Sequence, residues 1–206
     1  DFPVFLYNFV RAMVAPCKNE RWFFDKSLAF ATKEVGMQGL AHITLLDESK
    51  CEFKDDPIVK KLSDEQKKQI IELTGVRQGE TVFFVSDMVE EIAAKNAGIV
   101  RNWLGKECEL IDNKSFEFCF IVDFPMYEHD ESTDKIIFTH NPFSMPQGGL
   151  DALLNKEPTE ILAYQYDLVC NGIELASGAV RNHDIEIMRK AFEIAGYTVE
   201  DVKGKF

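Results

Sequence analysis

No stretch of this 206-residue sequence approaches the ~18 consecutive apolar residues that a membrane-spanning helix needs, which excludes a helical membrane anchor in it. An initiator Met and the basic-then-apolar pattern of a signal peptide are both missing from the opening "DFPVFLYNF". That start reads as a cut edge, and the closing "TVEDVKGKF" reads as a helix begun at Thr198 with no terminator. Close cysteine pairs and zinc spacings are absent: the five cysteines, Cys17, Cys51, Cys108, Cys119 and Cys170, are scattered. Reduced thiols and a cytoplasmic compartment are the expectation. Basic residues are in the minority, and a net charge of −12 argues against non-specific nucleic-acid binding, which draws its affinity from phosphate neutralisation. One locally basic contact stays open. Repeats, low-complexity tracts and long charge blocks are also lacking.

What is present, with 46% hydrophobic residues, suffices for one large core or two smaller ones. The first half alternates strand and helix signals. "FLYNFVRAMV" is strand-like and stopped by Pro16. A helix is expected from Asp25 as N-cap to Gly36, with Leu28, Ala31 and Val35 along one face. "GLAHITLL" predicts a second strand. "SDEQ" at 63–66 is a capping box opening a helix with Ile70, Ile71 and Leu73 inward, ended by Gly75. "TVFFVS" predicts a third strand, and Asp87 with Glu90 repeats the capping pattern for a helix to about Leu104. No catalytic constellation stands out in this half.

The polar run 105–115 is the best boundary. Beyond it, "FEFCFIVDF" is apolar on both faces, as a central strand covered on both sides would be. "MYEHDESTDK" reads as a polar loop and "IIFTH" as the returning antiparallel strand. "NPFSMPQGG" leads to a short helix near 150–154, and another helix is expected over 184–196. Together these signals predict an α+β chain. An α/β domain fills 1–112, and an antiparallel sheet with flanking helices fills 113–206.

The densest chemistry lies in "YDLVCNGIELASGAVR", 166–181. Asn171-Gly172 between apolar runs predicts a type I′ hairpin turn, which needs positive φ at both central residues. Cys170 then pairs with Ile173, Val169 with Glu174, Leu168 with Leu175 and Asp167 with Ala176. Because paired residues share a face, Asp167 and Glu174 project from one side, diagonal to each other and close enough to share a divalent cation. The plainer alternative is a pair of acids on a solvated face. Arg181 falls on the opposite face unless a bulge at "ASG", 176–178, shifts the register. With that bulge its guanidinium fork joins the acids and can grip a carboxylate. His140, at the end of "IIFTH", is either a substrate donor or a loop histidine. His42, His129 and His183 receive no role.

Read together, "VDFPMYE", "HNPFSMP", "YDLVCNGIELASGAVR" and "AFEIAGY" resemble, in order and spacing, the later catalytic region of the bacterial-type aspartyl-tRNA synthetases of class II. That resemblance spans about 118–206. The stretch before it, through "FVRAMVAP" and "GLAHI", resembles the insertion domain those enzymes carry, a domain shared with a subunit of tRNA-dependent amidotransferases. The resemblance implies that 113–206 is part of the class II catalytic domain. It also implies that Glu174 contacts ATP and its Mg2+, that Asp167 supports the same metal, that Arg181 binds the side-chain carboxylate of substrate aspartate, and that His140 belongs to the loop closing over it. The implied partners are tRNA(Asp) and conceivably tRNA(Asn), with a homodimeric parent enzyme.

Two departures accompany the match. Asn141 stands where the family usually has a second histidine, which leaves aspartate selectivity open. Ala176, Ser177 and Ala179 replace a run of glycines, though Gly178 is kept. No counterpart is seen for the anticodon-binding barrel, the first motif, the α-phosphate-clamping second motif or the third. The expectation is therefore an inactive fragment of an aspartate–tRNA ligase. Two rivals remain: a non-catalytic tRNA-binding module akin to the amidotransferase subunit, and a metal-binding hydrolase using the paired acids with His140.

Overall fold

A computed structural model describes residues 7–17 and 20–198. The chain divides into two compact units, Asp1–Asn113 and Lys114–Phe206. Helices and antiparallel sheets make it α+β. No helix among the described residues is long and apolar enough to cross a membrane.

The first unit is a four-stranded sheet between helices. Its strands are β1 (Phe9–Ala15), β2 (Ala41–Asp47), the short β3 (Glu52–Phe53) and β4 (Thr81–Asp87), in the order β1-β4-β2-β3. Strands and helices interleave along the chain, but every pairing is antiparallel. β4 lies inside the sheet, and its near-continuous apolar run is what burial on both faces demands. Phe83 and Val85 join one core with α1 (Arg21–Lys33) and α3 (Glu90–Glu107), while Val82 joins a second core with Ile43 and Leu45, against which α2 (Asp64–Thr74) packs Ile70 and Ile71.

Helix α2 has the expected capping box. The Ser63 hydroxyl accepts from the Gln66 amide, the Gln66 side chain accepts from the Ser63 amide, and Gly75 closes the helix in the left-handed conformation. Leu73, expected inward, is 87% exposed. α1 starts five residues earlier than an Asp25 N-cap implies, with Glu20 at that position, because its buried stripe is Phe23, Ser27 and Ala31, and Leu28 faces out. At α3 the Asp87 carboxylate accepts from the Val89 amide, but Glu90 pairs with Arg11 at 2.5 Å instead of closing a box. Gly105 stays inside that helix, which runs on to Glu107.

The second unit holds a three-stranded antiparallel sheet, β5 (Phe118–Pro125), β8 (Leu162–Cys170) and β9 (Ile173–Ala179), in the order β5-β8-β9. β5 was expected as a covered central strand. It is instead an edge strand among the described residues, with Phe118, Phe120 and Val122 exposed. Its apolar run reports a capacity for burial and cannot say what supplies the cover. "IIFTH" does not return onto β5 either. Its strand β7 (Lys135–Phe138) pairs with β6 (Tyr127–Asp130), formed by residues expected as loop. Helices α4 (Gly149–Asn155) and α5 (Ile185–Ile194) pack with this hairpin around Met126, Tyr127, Leu153, Ile161, Ala163 and Ala191. Asp184 caps α5 through the amides of Glu186 and Ile187. The helix expected from Thr198 lies outside the described residues, as does the start of "FLYNFVRAMV".

Candidate active site

The turn at the centre of the site is the one the Asn-Gly step encodes. Asn171 and Gly172 have φ of 50° and 80°, both in the left-handed region that a type I′ turn requires. The Asn171 side chain also works outside the turn. Its Oδ1 accepts from the Glu117 amide at 2.9 Å and its Nδ2 donates to the Ser115 carbonyl at 3.0 Å, tying the hairpin to the entry of β5.

From the turn, Cys170 pairs with Ile173 and Val169 with Glu174, and then the register shifts. Leu168 faces Ala176 and Asp167 faces Ser177, leaving Leu175 as the extra residue. The bulge thus falls just before "ASG" and not within it. Its effect on parity is the one a bulge at 176–178 would have had. Asp167, Ser177, Val169 and Glu174 stand on one side of the sheet, and the strand pairing ends at Ala179, before Arg181.

A cavity of about 360 Å3 opens over this face, lined by Asp167, Glu174 and Ser177 from the hairpin, Gln165 from β8, Phe124 from β5, and His140 and Asn141 from the loop after β7. Three of the four residues singled out from sequence, His140, Asp167 and Glu174, therefore meet there. His140 is set edge-on against the Phe124 ring, centroids 5.0 Å apart. Arg181 does not line the cavity. Its guanidinium lies over the Phe143 ring at 5.5 Å and its backbone forms a bridge with Ser144. Gly178 leaves room for the Tyr166 ring, which crosses it from β8: a Cβ there would stand 2.5 Å from the end of that half-exposed ring, which would have to move.

Ser177, Phe124 and Gln165 also line the cavity and belong to no motif that marks them in the sequence. For Gln165 a signal did exist, since it lies two residues before Asp167 in one strand and must share its face.

No group of three or more His, Cys, Asp or Glu among the described residues could cage a metal ion. Two carboxylates on one cavity wall suit Mg2+, which keeps most of its waters and commonly uses one or two carboxylates with substrate phosphates.

A sheet carrying this acid pair, with a histidine loop across it, has its context in the family comparison. The model for class II tRNA synthetases (D, K and N) matches residues 9–206. The chain belongs to that family. Among curated proteins it is similar to the aspartate–tRNA(Asp/Asn) ligase of Ehrlichia ruminantium (strain Gardel), 49% identical over 213 residues that cover 100% of this chain and 35% of that protein. The proteins of the same description from Ehrlichia chaffeensis and Acidiphilium cryptum are each 51% identical over 199 residues, 96% of this chain and 33% and 32% of theirs. The chain spans about a third of the length of these curated relatives.

Proposed function

We propose that the chain supplies the aspartate-binding and metal-binding part of an aspartate–tRNA ligase. The α-carboxylate of aspartate attacks the α-phosphate of ATP to give aspartyl-adenylate and pyrophosphate, and the acyl group then passes to the terminal ribose of tRNA. The observation that carries this is the convergence of His140, Asp167 and Glu174 on one cavity from three separate elements. The descriptions of the relatives support the choice of amino acid and both candidate acceptors, tRNA(Asp) and tRNA(Asn).

Glu174 contacts ATP and, with Asp167, holds Mg2+, which when bound neutralises phosphate charge. His140 and Arg181 take the aspartate. Arg181 is well suited to a carboxylate, since its backbone is fixed by the Ser144 bridge while its guanidinium rests on a ring and keeps its fork of donors. Residues 1–112 form the insertion domain and 113–206 part of the catalytic domain. The working form is cytoplasmic and homodimeric.

In the full-length protein, Arg181→Ala removes the charged partner of a bound carboxylate. Aspartate KM in pyrophosphate exchange should rise at least about a hundredfold, and an unchanged KM refutes the assignment. Glu174→Ala should lower exchange most at low Mg2+. Normal activity there contradicts its metal role.

A further inference from the structure

We infer that Gln165 is the positioning residue of this site: its buried amide clasps the 140–147 loop, so that His140 is presented to the cavity in one place. The inference rests on the aspartate-binding role proposed above for His140, and its structural half is independent of that role. Gln165 is 9% exposed and sits on β8 two residues from Asp167, on the acid-bearing face. Its Nε2 donates to the Ser144 hydroxyl at 2.8 Å and to the Asn141 carbonyl at 3.1 Å. Both acceptors belong to the same loop, and Asn141 directly follows His140. Ser144 is fully buried, so Gln165 cannot be replaced there by bulk water without opening the loop.

The rest of the loop explains why one side chain matters. Its other ties lie mostly further along: in the backbone Met145 donates to Val180, Tyr164 to Met145, Gln147 to Leu162 and Asn182 to Phe143, and the Gln147 side chain donates to Asp123 and to the Ala163 carbonyl. These hold 143–147 against the start of β8 and the residues just after β9. At the His140 end, the Asn141 side chain turns inward to accept from the Phe143 amide, which shapes the loop but does not attach it to the sheet. The Gln165 amide is the bond that reaches from β8 to that end. It ties the strand that carries Asp167 to the loop that carries His140, whose ring also packs on Phe124 and whose preceding residue, Thr139, donates its amide to the Met126 carbonyl. A shift of about 1 Å in a substrate-positioning group is enough to matter for rate and affinity.

The replacement that keeps bulk and removes both donations is Gln165→Leu. Ser144→Ala removes one acceptor from the loop side with less change in volume. Hydrogen exchange on the 206-residue chain should show faster exchange at the Phe143 and Ser144 amides, both of which donate to Asn141, in both variants, with the Met145 and Gln147 amides and the Cys170–Ile173 end of the hairpin as protected as before. In the full-length protein, Gln165→Leu should raise aspartate KM about tenfold, leave ATP KM unchanged, and lower kcat far less. His140→Ala added to Gln165→Leu should then cost much less than His140→Ala alone, because the histidine is already out of place.

Loop amides that exchange as in the parent would overturn the clasp. Faster exchange with an unchanged aspartate KM, or with equal rises for aspartate and ATP, would overturn its use in positioning. If His140→Ala alone leaves aspartate KM unchanged, the role given to His140 falls, and the clasp stands or falls on the exchange result.

Discussion

Tyr127→Phe isolates a single buried hydroxyl on which the second unit depends. Tyr127 is 1% exposed, and its hydroxyl donates to the Ala191 carbonyl in α5 at 3.0 Å. In a continued helix the Ala195 amide would take that carbonyl, but it donates to Glu193 instead. The phenol thus serves one of the orphan carbonyls at the helix end. Without it a buried acceptor is left alone, which costs about 1–3 kcal/mol. In a unit of this size, ~1.5 kcal/mol corresponds to a fall of about 6–12 °C in the unfolding midpoint.

Burial also holds the Tyr127 phenol above its ordinary pKa of 10.0. A folded state that resists ionisation keeps its full stability below pH 10 and loses it as pH rises beyond, so the gap between parent and variant should narrow in alkali. Both tryptophans, Trp22 and Trp103, lie in the first unit, so their fluorescence reports on that core, while far-UV circular dichroism reports on both. The dichroism transition of the second unit should shift and the tryptophan transition should stay in place. An equal shift in both, or a gap that does not narrow in alkali, would refute this account.

His42 is half-buried and stacked on Phe24 with centroids 3.9 Å apart, and burial holds its pKa below 6.5 against the opposing pull of Asp56. Its share of the first unit's stability is complete above pH 6.5 and lost as pH falls, so His42→Phe should flatten the tryptophan-detected dependence between about pH 7.5 and 5. Gly172→Ala places a Cβ at φ 80° in open space, so strain alone should cost about 1 kcal/mol, read as a lower midpoint for the second unit. Ser63→Ala should cost the first unit about 1 kcal/mol through its lost cap; no change in the tryptophan transition would mean that the end of α2 frays without consequence.

Local chemistry was written plainly in the sequence. The Asn-Gly turn, the Ser63 capping box and the common face of Asp167 and Glu174 all depend on residues a few positions apart, where backbone φ preferences and strand alternation act directly. The fold supplied whatever depends on distant partners. The bulge settled on Leu175, one residue before the glycine-containing stretch that the local pattern marks for it, because the turn alone leaves neighbouring sites equivalent. Leu73 turned outward and Phe23 inward because a helix buries the stripe that meets a sheet, and the sheet is assembled from strands far away in the chain. Only tertiary structure could bring His140 across β8 to the acids, stack Arg181 on Phe143, and give the buried Gln165 amide its two loop acceptors. Those contacts join segments more than twenty residues apart, and no periodicity along the chain encodes which of them will meet.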